Sequence, residues 1–179
     1  AVIAFTVVTL LTLRWFVHPA VVSEPAPADA VVMFGGAGPR FERAVQLVEH
    51  DHVAPVLLLS DPGSTTEDVS AFGWYCDGRV APGRGEQASR SAGTLCFDPD
   101  PATTFGEARA AGRIAAEHGW QRLIIVVSTD QATRAASMLR RCFAGHVDVV
   151  AVPTTRNRLG RVAYEWAATT YYTLAHRSC

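Results

Sequence analysis

Apolar residues gather into short runs, each followed by a stretch whose apolar positions recur at helical spacing. Ala30–Phe34 is one such run. It breaks into Gly35, Gly36 and Gly38, and then Phe41, Ala44, Val45 and Val48 mark an amphipathic helix to about His50. Val53–Leu59 reads as a second strand ending in Ser60-Asp61-Pro62-Gly63, and Thr94–Phe97 as a third. A helix over Phe105–His118 is stopped by Gly119. Leu123–Val127 is the strongest strand signal and is expected at the centre of the sheet. A helix to Cys142, a strand over Val147–Val152 and a last helix over Arg161–His176 complete the series. Strand–helix alternation without hairpin signals predicts one α/β domain of three layers with a mainly parallel sheet.

The first run differs from the others. Ala1–Leu13 is apolar apart from Thr6, Thr9 and Thr12, and Arg14-Trp15 follows as an interfacial pair would at a membrane surface. Thirteen residues fall short of the roughly 20 that a span needs, so the expectation is a transmembrane anchor over 1–22 that continues ahead of Ala1. A buried core helix is one alternative. A signal peptide cleaved at Ala26-Pro27-Ala28 is another, with the site set far from the apolar run. Residues 23–28 suit an extended stalk, and the domain is expected over 29–179, with an irregular insertion at 63–93 holding one helical turn near Thr66–Ala71 capped by Thr65.

Composition narrows the chemistry. Of 179 residues 49% are hydrophobic, which suits a globular chain, and a formal net charge of −1 argues against a nucleic-acid partner. All 16 basic residues are arginine, so Schiff-base chemistry and a lysine-dependent phosphate loop are excluded. The six histidines are scattered without metal-ligand spacing, and no metal site is expected. Cys76 and Cys96 flank the second half of the insertion and are a disulfide candidate if the domain lies outside the membrane. Two unpaired thiols are the alternative, and pairing among these, Cys142 and Cys179 stays open.

In a parallel sheet, ligands bind at the carboxyl edges of the strands. The residues expected there include Gly35, Gly36, Arg40, Arg43, Ser60, Asp61, Thr103, Thr104, Glu107, Ser128, Asp130, Gln131 and Arg134. Donors and arginines dominate, which suits a phosphate or carboxylate better than nucleophilic catalysis. Only two glycines of a dinucleotide fingerprint are present, since Phe41 stands at the third position. Thr104-x-x-Glu107 also reads as a capping box, a purely structural use of Glu107. Arg134, near a helix start, opposes the helix dipole and needs an acidic partner, Asp130 or Glu107, or an anionic ligand.

Several blocks in order resemble the bacterial envelope-associated family of YdcF, SanA and ElyC. They are Asp29-Ala30-Val31-Val32, Gly35-Gly36, Arg43-Ala44, Ala54-Pro55 through Ser60, Thr103-Thr104-x-x-Glu107-Ala108, Val126-Val127-Ser128, Arg134-Ala135 and Glu165-Trp166. Cys96-Phe97-x-Pro99-Asp100-Pro101 and the absence of lysine resemble its actinobacterial branch. The resemblance implies a Rossmann-like fold, a single-pass plasma-membrane protein, and a link to peptidoglycan metabolism and barrier function. It also implies S-adenosylmethionine as a possible ligand. Gln131 stands where the family often has histidine, and glutamine cannot act as a general base near neutral pH. Asp61-Pro62 replaces two glycines. The expectation is an envelope protein, its domain outside the plasma membrane, binding an anionic or nucleotide-like molecule. The alternative is a non-catalytic partner of envelope-assembly proteins with a vestigial crevice.

Overall fold

The computed structural model describes residues 2–35, 38–60, 76, 93–154, 158–175 and 178–179. Five strands, β1 (Ala30–Met33), β2 (Val56–Ser60), β3 (Gly93–Phe97), β4 (Arg122–Ser128) and β5 (His146–Val152), form one sheet in the order β3-β2-β1-β4-β5. Every pairing is parallel. The middle strand is therefore β1, with β4 beside it, which corrects the expectation that Leu123–Val127 is central. All four β1 residues are fully buried. Four residues suffice there because Asp29 extends the order: its carboxylate accepts the amides of Gln121 (2.6 Å) and Arg122 (2.8 Å), fixing β4 against β1.

Helices cover both faces, giving three layers. On one face α2 (Pro39–Val45) places Phe41, Ala44 and Val45 against Val31, Met33, Ile124 and Val126. Its last turn widens into a π-helix over Gln46–His50. On the other face α3 (Thr104–Glu117) and α4 (Ala132–Cys142) bury a row of alanines over Val32, Leu58, Ile125 and Val149. A final helix, α5 (Arg158–Ala175), stacks Tyr172 on Phe105 at the start of α3. Cys76 is joined to Cys96, and Cys142 to Cys179. The expected turn near Thr66–Ala71 and the Asp61-Pro62 substitution lie outside the described residues.

Helix α1 (Val2–Thr12) has no buried residue; Ile3 is 81% and Phe5 75% exposed. A π-helical turn, Leu13–Val17, continues it. No helix among the described residues is long and apolar enough to cross a membrane. The foot of this segment is seated on the domain. Phe16 is buried, Trp15 and Phe16 pack on Trp166 of α5 (5.4 and 5.5 Å between centroids), and Trp166 Nε1 donates to Thr12 Oγ1 (2.9 Å). Thr133 Oγ1 donates to the Trp15 carbonyl (2.6 Å).

The stretch expected to be an extended stalk, residues 23–28, is held to the domain at its two ends. The amide of Val22 donates to the Val149 carbonyl (2.9 Å) and that of Ala28 to Val53 (2.8 Å), while Val22 packs against the core on the α2 face.

Candidate functional site

Strand order reverses at β1: the chain steps outward to β2 and β3, then returns to β4 on β1's other side. The crevice beyond the carboxyl ends of β1 and β4 is thus the topological switch point, where ligands of such sheets bind. Gly35 lies just after β1, and Thr129–Gln131 form a 3-10 turn just after β4. Arg40, in the first turn of α2, reaches across the gap and donates from Nη1 to Gln131 Oε1 (3.2 Å).

Glu107 forms the floor. It is 7% exposed and its Oε1 accepts the Gly35 amide at 2.5 Å. Burial pushes its pKa up; the Gly35 amide, the Ser60 hydroxyl and the charges of Arg40 and Arg134 pull it back only in part. Ser60, at the end of β2, faces this carboxyl closely enough to favour its ionised form. Its 1%-exposed Oγ nevertheless makes no hydrogen bond of good geometry among the described residues. An unpartnered buried hydroxyl costs about 1–3 kcal/mol. Water or a ligand polar group at the crevice would relieve it.

The capping box shifts by one residue. Thr103, not Thr104, is the N-cap of α3, accepting from the Gly106 amide (3.3 Å). Glu107 therefore sits beyond the box position and is drawn to the Gly35 amide by the tertiary fold. Gly106 is required at that turn, because a Cβ there would run into the Pro101 carbonyl. Thr104, released from capping, accepts from Arg134 Nη1 (2.8 Å).

Arg134 finds its partner elsewhere than Asp130 or Glu107. Its Nε and Nη2 hold Glu165 of α5 in a bidentate pair (2.7 and 3.0 Å), with Arg134 4% and Glu165 0% exposed. Burial works against the guanidinium charge, but the hydrogen bonds and charge of Glu165, aided by Tyr164 and Tyr172, outweigh it and hold the pKa above the ordinary range. Arg161 extends the network, donating to Asp130 Oδ2 (2.7 Å) and Glu165 Oε1 (3.4 Å). The second Asp130 oxygen is buried without a partner among the described residues.

The structure thus brings Gly35, Arg40, Ser60, Glu107 and Gln131 together at the switch point, with Thr104 and Arg134 behind them in an ion-pair network. Ser128 is half-buried at the end of β4, with its backbone as the N-cap of the 3-10 turn and no cap from its side chain. Arg43 lies apart, paired with Asp51 (3.0 Å). Gly36 lies outside the described residues. Glu165 and Arg161 are the network members that sequence reading did not place at the site; Glu165 stood out only as part of the Glu165-Trp166 block. No group of His, Cys, Asp and Glu among the described residues could hold a metal ion. No family model matches the chain, and no curated protein matches it in sequence.

Proposed function

We propose that the chain is a membrane-anchored protein of the bacterial cell envelope, of the YdcF, SanA and ElyC type. Its domain lies outside the plasma membrane and binds an anionic or nucleotide-like small molecule in support of envelope or peptidoglycan biogenesis. The observation that carries the binding reading is the composition of the switch point. Arg40 offers a cation at the rim, while the buried Ser60 hydroxyl and the Glu107 carboxyl, a hydrogen-bond acceptor, stand side by side on the floor. A bare anion fits poorly, since Glu107 already occupies the Gly35 amide. A molecule with an anionic group for Arg40 and hydroxyl or amino donors for Glu107 meets both, and nucleotides and S-adenosylmethionine have that character. Gln131 contributes an amide in place of a base, which favours binding over acid–base catalysis.

Two features support the placement. All four cysteines are in disulfides, which persist in oxidising compartments. Helix α1 is apolar around its circumference and unburied, as an anchor is. Its 11 residues are fewer than the roughly 20 that a span needs.

The test is thermal unfolding of the chain in detergent with S-adenosylmethionine and with nucleotide-linked sugars. A ligand at a hundred times its dissociation constant stabilises by about 2.7 kcal/mol. The gain should vanish in Arg40→Gln. Absence of any shift with all of these probes would leave the vestigial-crevice reading standing.

A further inference from the structure

A second cavity, sharing no residue with the switch-point crevice, opens at the foot of α1. Its volume is about 430 Å³, within the range of small-molecule sites, and its walls include Arg14, Trp15, Thr133, Ser137, Arg140 and Arg141. No carboxylate among the described residues lines it. Arg14 comes from the turn that ends α1, and Arg140 and Arg141 from the last turn of α4. The two α4 arginines are complementary to a helix C-terminus, which accounts for their presence there. It does not account for Arg14 converging on them from a different segment. Neither Arg14 nor Arg140 forms an ion pair among the described residues.

The arginines are also positioned. Arg140 Nη2 donates to the Val147 carbonyl (3.0 Å), and Arg141 donates to the Tyr172 carbonyl (3.2 Å) and Ser137 Oγ (3.4 Å). A guanidinium has five N–H donors, so the single anchoring bond of Arg140 leaves others for a ligand. The lining is cationic and hydroxyl-bearing, and arginine forks match phosphate oxygens. Leu13 is exposed in the same turn as Arg14, as is Leu10 just before it in α1, and Trp15 sits on the cavity wall as indoles sit at the headgroup level.

We infer that this cavity, where Arg14 meets Arg140 and Arg141, holds the phosphate-bearing headgroup of an anionic membrane lipid, whose acyl chains lie along α1. The inference rests on the membrane-anchor reading, because that reading puts the cavity at the bilayer surface. A lipid is assigned rather than free phosphate because the cavity adjoins exposed apolar surface that acyl chains would cover.

The experiment uses the chain reconstituted into vesicles of phosphatidylcholine alone and of phosphatidylcholine with phosphatidylglycerol. Flotation measures anchoring, and native mass spectrometry after detergent extraction counts the lipids retained. The expected result is flotation with both vesicles and selective retention of phosphatidylglycerol. Selectivity should fall roughly fivefold for each arginine removed in Arg14→Gln and Arg140→Gln. Arg113→Gln, an equal charge loss at an exposed α3 position that pairs with Glu117 and does not line the cavity, should leave it unchanged. Flotation with equal retention of the two lipids, or selectivity that survives the Arg14→Gln/Arg140→Gln double variant, would overturn the lipid site and leave the anchor intact. Release of the bound lipid by inorganic phosphate at matching concentration would assign the cavity to the free ion instead. Failure to float would overturn the anchor reading, and the lipid site with it.

Discussion

Glu107 is a carboxyl that burial holds partly against ionisation. Its folded pKa lies above the ordinary value of 4.5, so the folded protein keeps a proton that the unfolded chain has released. Stability must therefore decline as pH rises from about 4.5 through the raised folded value, and level off beyond it. Glu107→Gln keeps an oxygen for the Gly35 amide and has no such titration. Its stability relative to the parent should increase with pH across that window, read from urea unfolding at several pH values; parallel profiles would refute the argument. The Arg134–Glu165 pair makes a second residue-scale claim. Arg134→Met leaves Glu165 buried without its bidentate partner and should cost about 3–5 kcal/mol. Arg134→Met/Glu165→Met should recover a large part of that cost, since an apolar pair carries no desolvation penalty. If the double variant were as unstable as the single one, the network would be needed for more than mutual neutralisation.

Elements were more legible than their ends. Parallel strands buried on both faces read as unbroken apolar runs, and each of the five runs became a strand. The rank of the runs misled, because length and β-branching report burial and do not report position in the sheet. The short Ala30–Met33 is central because Asp29 pins β4 beside it. The start of α3 shows the same limit. Thr103 and Thr104 are equally able caps by chemistry, and Glu107 completes a box with the second. Arg134, brought from α4, claims Thr104 and settles the choice. Thr103→Ala should accordingly cost about 1 kcal/mol as a lost N-cap. Thr104→Ala should instead weaken the ion-pair network, which amide hydrogen exchange in α5 would report. The need of Arg134 for a partner was readable from its place on the helix. The identity of that partner was not, since Glu165 lies 31 residues away on a helix whose packing the local pattern does not specify.

At the scale of the molecule, α5 joins three parts. Glu165 enters the network behind the crevice, the neighbouring Trp166 receives Trp15 and Phe16, and Cys179 just past the helix is tied to Cys142. Replacing that disulfide in Cys142→Ser/Cys179→Ser should cost about 4 kcal/mol by loop-closure entropy, for a separation of 37 residues. Trp166→Ala should leave the sheet intact and speed tryptic cleavage after Arg14, as the foot of α1 loses its seat; cleavage at the parental rate would show that Thr133 alone holds it.

The seat on Trp166 also has a consequence for synthesis. A ribosome releases α1 well before α5, so the foot of α1 waits for a segment made much later to supply its resting place. β1 waits too, because one of its two neighbours, β4, begins 92 residues after it. Truncation before β4 would therefore leave both the centre of the sheet and the root of α1 exposed, marking an unfinished chain for proteolysis.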